Sequence, residues 1–500
     1  MELMPESLLI FAVLATIAAF ALYSFHRIFL LSLWLKYRNQ EPVVPDGFDG
    51  SHHNLPHVTV QLPLYNELFV AERLIRSAAE LDYPVDKLEI QVLDDSSDET
   101  RELVDRVVGE LREAGTDIVC VRRPNRDGFK AGALSYGLKR AKGSLVAVFD
   151  SDFLIPHDFL DKTVPHFHDS KVGMVQTRWE FINESQSFLT KAQSLSLRAH
   201  FRVEHLARAR SGRFFNFNGT AGIWRSETID AAGGWQGDTL TEDLDLSYRA
   251  QLAGWKFVYL DDVTCLSEVP PTFKAFKTQQ HRWMKGMAQV ARKLLPVLIR
   301  SDVAFKVKAE AFFHFFAPVT YSFTLASFLL LLPLTLIYGG ASLDWLRILF
   351  AVVLGWTTCS VAVFHYASDR NRPAWNGLLD FAMRFFYLLV VGIGNSLNGS
   401  RAVFEGFMGW QSPFVRTPKY GELNLAVNDT KDKTVASTFK YVSSLDPLVA
   451  GEVVLLVYAA VTVLAASLNC WAVVPWSALF FVGCAASLGS QLSESVRGSA

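Results

Sequence analysis

Most of the signatures by which catalytic classes announce themselves are missing from this sequence. Its five cysteines (Cys120, Cys265, Cys359, Cys470, Cys484) are scattered, with no CxxC or CxxH spacing, which makes a disulfide framework or a zinc cluster a poor reading. No GxGxxG or GxxxxGKS/T loop occurs, so the standard dinucleotide and P-loop arrangements fall away. There is no GxSxG elbow and no His/Cys metal spacing. A net charge of -2 over 500 residues leaves no electrostatic footprint for nucleic acid, and no nucleic-acid partner is expected. What remains is chemistry by carboxylates, amides and a few cations.

Charge-free stretches, in contrast, are plentiful. Half of the residues are apolar and 38 are Phe, more than a soluble chain usually carries. Leu8–Leu35, Ala311–Tyr338, Leu343–Tyr366, Val449–Leu468 and Trp471–Leu488 are each long enough to cross a bilayer as a helix. Arg27, Lys36 and Arg38 lie toward the end of the first run, and Arg370 and Arg372 follow the third. The positive-inside bias therefore puts the N-terminus outside and residue 39 onward in the cytoplasm. Trp375–Met408 is apolar only over Phe385–Ile393 and carries Asp380, Arg384, Asn395, Asn398 and Arg401. It reads as a helix along the inner interface rather than a sixth span. The expected division is an anchor (1–38), a cytoplasmic domain (39–305) with interfacial helices near 186–211 and 272–299, a span pair (306–368), an interfacial helix with a loop (369–448), and a final pair (449–500). This describes a multi-pass protein of the plasma or inner membrane, in contact with membrane lipids.

Residues 39–305 alternate strands and helices. Strands are expected at Val58–Leu62, Leu88–Leu93, Ile118–Arg122 and Leu145–Phe149, with helices at Phe69–Leu81, Ser97–Ala114 and Ala131–Lys142. The pattern predicts an α/β domain with a mostly parallel sheet, in which ligands bind beyond the carboxyl ends of the strands. Three of those ends carry acids: Asn66-Glu67, Asp94-Asp95 and Asp150-Ser151-Asp152. One acid at a strand end is an ordinary turn or cap; three on one edge describe a site.

Several short motifs point the same way. VFDSDFLIP sets Asp150 and Asp152 two apart, which suits a hard divalent cation sharing a diphosphate. NRDGFKAGAL offers Lys130 to a phosphate ahead of a helix. TLTEDLDLSYR groups Glu242, Asp243 and Asp245, which fit either helix capping or a general base acting on a hydroxyl. FNFNGTAGIWR, together with Trp179, Trp224, Trp235, Trp255 and Trp283, suits sugar rings or an aromatic core. In TQQHRWMKG, residues Gln279, Arg282 and Trp283 share one helical face. The helix around them, Phe273–Leu295, mixes Lys274, Lys277, Lys285, Arg292 and Lys293 with apolar residues. That pattern predicts a helix whose lysines hold it on a membrane surface.

The ordered set DD, DxD, TED and QxxRW resembles the processive membrane glycosyltransferases of family 2, the cellulose, hyaluronan and chitin synthases. QVLDDSSDET, GFKAGAL, VQTRWEFIN, FNGTAGIWR, TEDLDLSYRAQLAGWKF and QQHRW look like the plant cellulose synthase-like mannan and xyloglucan-backbone (glucan) synthases. The likeness covers roughly residues 56–300 and continues into GSRAVFEGFMG and FVRTPK. It implies an α/β GT-A domain joined to a helical transmembrane region of about five spans plus interfacial helices. It also implies inverting transfer of hexose from UDP-glucose or GDP-mannose to a growing β-linked glucan, mannan or glucomannan, with the polymer passing through the membrane.

Carried over by position, Asp94 and Asp95 contact the nucleotide, Lys130 contacts the diphosphate, and Asp150 and Asp152 hold Mg2+ or Mn2+. Asp243, beside Glu242, is the base. Arg282 lies near the diphosphate, and Gln279, Gln280, Trp283, Asn218 and Thr220 meet the acceptor. Thr417 and Lys419 match a gating motif that closes over the nucleotide, with Arg416 where that motif has valine. Tyr321, Ser322, Trp356, Thr357 and Thr358 are the candidates for lining a channel. Two readings compete: transfer of one sugar to a lipid such as ceramide or diacylglycerol, and a non-enzymatic scaffold on the same fold. Some lipid transferases share QxxRW, whereas the intact acidic motifs count against the scaffold.

Overall fold

The computed structural model describes residues 6–48, 50–336, 344–369, 374–412, 415–417, 419 and 448–499. Strands β1 (Val58–Leu64), β2 (Leu88–Asp94) and β4 (Leu145–Val148) are buried at nearly every position, as strands covered on both faces are. β1 pairs in parallel with β2 and β4, and β2 pairs in parallel with β3 (Ile118–Val121). The crossovers carry helices α2 (Ala71–Ala79), α3 (Thr100–Glu113) and α4 (Phe129–Leu138). β5 (Val172–Phe181), β6 (Gly222–Arg225) and β7 (Lys256–Ser267) complete a seven-stranded sheet of order β3-β2-β1-β4-β6-β5-β7. β6 runs antiparallel to both of its neighbours. The result is the expected GT-A domain.

β1 continues through Pro63, pairing Pro63 with Leu93 and Leu64 with Asp94. That extension brings Tyr65–Glu67 to the edge where Asp94-Asp95 and Asp150–Asp152 also end. Beneath the edge, Phe215, Phe217, Trp224 and Trp235 form an aromatic core with Tyr259. Trp224 and Trp235 are thus packing residues, while Trp179 and Trp283 face open space.

The helical part comprises α1 (Glu6–Tyr37), α5 (Phe188–Ala199), α6 (Glu242–Leu252), α7 (Phe273–Arg300), α8 (Phe305–Phe316) and α9 (Val319–Leu336). It continues with α10 (Asp344–Ser368), α11 (Ala374–Gly394), α12 (Ser396–Met408), α13 (Val449–Asn469) and α14 (Val474–Ser499). The span expected to start at Ala311 breaks at Ala317-Pro318, because proline has no N–H to extend α8, and the apolar run resumes in α9. Tyr338, Leu343, Arg370, Arg372 and the flanking Phe414 and Pro418 lie outside the described residues.

Among the described residues six helices are long and apolar enough to cross a membrane, within α1, α9, α10, α11, α13 and α14. The one beyond the five expected is in α11. Its Arg384 pairs with Asp380 one turn away and with Asp369, so the charges that argue against insertion are neutralised within the fold. Both flanks of α11 are nevertheless held against the catalytic domain. Before it, Asp369 pairs with Arg198 of α5 at 3.2 Å. After it, Asn398 donates to the carbonyl of Lys277 in α7 at 3.0 Å.

The lysines of α7 depart from expectation as well. Lys277 and Lys285 are 1% exposed, and they pair with Glu452 of α13 at 2.7 Å and Glu405 of α12 at 2.8 Å. Lys293 pairs with Asp245 of α6 at 2.9 Å. Amphipathic periodicity identifies a face, but it does not distinguish headgroups from carboxylates on neighbouring helices as that face's partner. Of the proposed channel residues, Tyr321 lines a cavity. Thr357 accepts a hydrogen bond from Ser24 of α1, and Trp356 lies against Phe25. These two are helix-packing residues.

Candidate active site

The aspartates at the end of β4 are held from several directions. The Asp150 backbone N–H donates to Thr220 Oγ1 at 2.8 Å. Lys130 Nζ donates to Asp150 Oδ1 at 2.5 Å and to the Gly219 carbonyl at 2.9 Å. Asp152 Oδ2 accepts from Ser267 Oγ at 2.8 Å, and its Oδ1 accepts from Lys419 Nζ at 2.5 Å. Gly219 has φ +86°, and a Cβ there would lie 3.1 Å from Asp243 Oδ2, so glycine lets the Asp243 carboxylate come in beside Lys130. Gly286 does the same for α7: a Cβ would meet Thr241 Cγ2 at 2.6 Å. Leu240 N–H donates to Gln289 Oε1 at 2.9 Å, which further ties the TED turn to the QxxRW helix. The described non-glycine residues with positive φ are Asn66, Phe129 and Ala221. All three flank this cleft, where strain of that kind tends to gather.

All but three of the expected site residues line the cleft. Asp94 does not: its fully buried carboxylate accepts from Arg122 Nε and from the Ser96 backbone N–H, so it shapes the turn. Asp95, its neighbour on the opposite face of the chain, faces the cleft with Arg123 at 2.6 Å. Thr220 is wholly buried and supports Asp150 rather than an acceptor. Gln280 turns to a second, deeper cavity.

That second cavity, about 430 Å³, falls in the size range of ligand pockets, roughly 300–1,000 Å³. It runs from the cleft past Phe276, Met284, Phe313 and Tyr321 into the helical part. Trp179, Leu197, Asn218, Thr241, Asp243 and Trp283 line both spaces. Asp243 therefore stands at a junction.

The electrostatics separate the acids into two groups. Burial would raise Asp150, but the ammonium groups of Lys130 and Lys419 hold it below the ordinary carboxylate range. Burial pushes Asp243 up, and the adjacent Glu242 adds to the shift; Glu242 is itself raised by burial. Burial lowers Arg282, with Glu242 and Asp150 opposing. The first group is ionised and the second is poised to take a proton. Asp150 and Asp152 present hard oxygen donors that are now neutralised by lysines, a set that suits a divalent cation shared with a diphosphate. No cluster of three or more His, Cys, Asp or Glu that could hold a metal occurs among the described residues, so such an ion would take its other ligands from the diphosphate and water.

Four residues with no assigned role in the sequence reading join the site. Arg126 stacks 3.2 Å over the ring of Tyr65, and Glu67 lines the cleft with Arg416 at 2.7 Å. Glu67 was visible as a strand-end acid, but its partner is 349 positions away in sequence and no local pattern announces it.

Residues 56–286 match the sequence family described as "Glycosyltransferase like family 2". "Probable glucomannan 4-beta-mannosyltransferase 11" of Arabidopsis thaliana is 38% identical over 319 residues, which is 62% of this chain and 72% of that protein. "Glucomannan 4-beta-mannosyltransferase 7" of the same plant is 40% identical over 302 residues, 59% of this chain and 54% of that protein. "Probable glucomannan 4-beta-mannosyltransferase 10" is 39% identical over 325 residues, and the match spans 59% of its length. Among solved structures, the mannosyltransferase PcManGT from Pyrobaculum calidifontis, in complex with GDP-Man and Mn2+, is 21% identical, with a TM-score of 0.49, over 81% of this chain and 100% of that one. With its ordered acidic motifs gathered around one cleft, and with 38% identity across most of one relative, the chain belongs to glycosyltransferase family 2.

Proposed function

We propose that this protein is an inverting hexosyltransferase that takes mannose from a nucleoside diphosphate and adds it to a growing β-linked mannan or glucomannan. The observation that carries this reading is the place of Asp243, on the wall common to the acid-lined cleft and the deeper cavity. A base there faces the donor sugar on one side and an acceptor hydroxyl on the other, as direct displacement requires. The choice of mannose rests on the activity named for the relatives.

In the transfer, the acceptor hydroxyl gives its proton to the Asp243 carboxylate while its oxygen bonds to the anomeric carbon. The bond from that carbon to the diphosphate oxygen breaks on the opposite face, the leaving group keeps the electron pair, and configuration inverts. Lys130 and Arg282 stabilise the charge developing on the diphosphate. Asp150 and Asp152 would hold Mg2+ or Mn2+, which when bound neutralises the same charge. Gln279 and Trp283 hold the acceptor end at the junction, and the cavity past Phe313 and Tyr321 receives the lengthening chain. The catalytic domain faces the cytoplasm of a plasma or inner membrane, and the polymer leaves through the spans.

The test uses the full chain in lipid nanodiscs with labelled GDP-mannose or UDP-glucose and Mn2+, with and without ceramide or diacylglycerol. Long products sensitive to β-mannanase are expected. A single-sugar glycolipid, glucan chains alone, or no transfer would overturn the reading.

A further inference from the structure

Arg416 sits in a socket that is built before it arrives. Its guanidinium donates to the backbone carbonyls of Asn66 and Tyr65, and the Glu67 carboxylate lies 2.7 Å away. Asn66 carries left-handed φ of +56°, an uncommon state for a residue with a side chain. It is fixed there by the β2 turn: its N–H donates to Ser96 Oγ at 2.9 Å, and its Oδ1 accepts from the Ser97 N–H at 2.8 Å. The acceptors that meet Arg416 therefore belong to the end of β1, and the turn after β2 braces them.

The segment Arg416 belongs to crosses the cleft. On one side of Arg416 the Val415 carbonyl accepts from Arg282 of α7 at 3.4 Å. On the other, Lys419 reaches Asp152 and Ser151. Between them Thr417 is 5% exposed and lines the cleft, with no hydrogen-bond partner for its Oγ1. A buried hydroxyl without a partner is costly unless a ligand completes it.

We propose that Arg416 and Glu67 are positioning residues, and that their contact sets Thr417 and Lys419 over the diphosphate of the donor. This rests on reading the cleft as the nucleotide-sugar site. In the socket Arg416 is held by the end of β1, which fixes where the neighbouring hydroxyl and ammonium stand. The arginine at a position where the related motif has valine thus has a partner supplied by this chain. Lys419 neutralises Asp152, and an arriving diphosphate would offer it a second anion.

Two measurements on the full chain in nanodiscs test the socket. The first is the rate at which trypsin cuts the Arg416–Thr417 bond, compared between wild type and Glu67→Gln without substrate. Glu67→Gln keeps size and shape while removing the charge. Cutting should be faster by roughly tenfold, the scale of one charge-assisted contact; an unchanged rate overturns the socket even if no sugar is transferred.

The second is donor and acceptor kinetics for Glu67→Gln, Arg416→Gln and the double variant. Each single change should raise donor KM by roughly tenfold with kcat within about twofold, the mark of binding lost equally in ground and transition states. The double variant should be no worse than either single, because both remove one contact, and Arg416→Lys should restore part of the loss. An unchanged donor KM, or additive effects in the double variant, overturns the positioning role. A wild type that transfers no sugar from any donor instead sinks the functional reading and leaves the trypsin result to decide the socket.

Discussion

Asp243 and Glu242 are neighbouring carboxyls that burial raises together, and Glu242 makes Asp243 still harder to ionise. A general base must be deprotonated to act, so the acid limb of kcat is expected well above the ordinary carboxylate range, with activity rising as pH rises through it. Glu242→Gln removes one source of the shift and should move that limb to lower pH. A limb that stays in place, measured as kcat against pH at saturating donor, would remove Glu242 from the account. Asp243→Asn keeps the shape and discards the base; kcat should fall by roughly a hundred- to ten-thousand-fold while nucleoside diphosphate binding, followed by calorimetry, is retained. Full activity in that variant would refute the assignment. At this scale the sequence was informative wherever chemistry restricts residue type: Asp150, Asp152, Lys130, Asp243 and Arg282 all reached the cleft. It failed where one step along a strand decides which way a side chain points, as with Asp94 against Asp95. It failed also where the deciding partner is remote, as with Arg416.

Helix α7 shows what periodicity reveals and what it conceals. Its length, its polar QxxRW face and its basic character could all be read from the sequence, whereas the partners of its lysines could not. One of them, Lys285, is held by Glu405 of α12, which also takes hydrogen bonds from His281 and Arg401. Burial would raise Glu405, but the hydrogen bonds from Lys285 and Arg401 and the neighbouring His281 hold it down to about 2. A depressed carboxyl stabilises the fold fully above its unfolded pKa near 4.5, and that contribution is lost as pH falls toward 2. Glu405→Gln leaves a buried ammonium without its counter-charge and should cost about 3–5 kcal/mol. Arg401→Gln removes a half-exposed partner of the same carboxylate and should cost about 1 kcal/mol or less. Thermal unfolding in detergent compares them; equal losses would mean that the Lys285–Glu405 pair does not clamp α12 to α7. The sheet gives a parallel lesson. β1 to β4 were readable because strands and helices alternate with buried runs between them. β5, β6 and β7 lie past that regular alternation, and β6 runs antiparallel to both of its neighbours, so nothing local announces the pairing.

For the whole molecule, hydropathy and contacts count differently. By length and composition six described helices suffice to cross a membrane, whereas contacts at the two ends of the chain point to an odd number of crossings. α1 delivers the chain to the catalytic domain, where the Arg38 carbonyl accepts from Arg210, so the start of α1 lies on the far side. Near the C-terminus, Glu494 of α14 accepts from the Phe273 and Lys274 N–H groups at 2.6 and 3.3 Å, a carboxylate at the positive end of α7. The last helix therefore ends on the catalytic side. An odd count would leave one of the six out of the membrane, and α11, whose two flanks both contact the catalytic domain, is the one we expect not to cross. We expect Ala114→Cys, Ser412→Cys and Ser493→Cys, each in a chain otherwise free of cysteine, to react with a membrane-impermeant maleimide from the same side of sealed vesicles. Six crossings would put 412 and 493 together on the side opposite 114, and labelling of that kind would overturn the five-span arrangement. The outcome also bears on the chemistry, since Val415 and Lys419, which follow α12, meet Arg282 and Asp152 at the cleft.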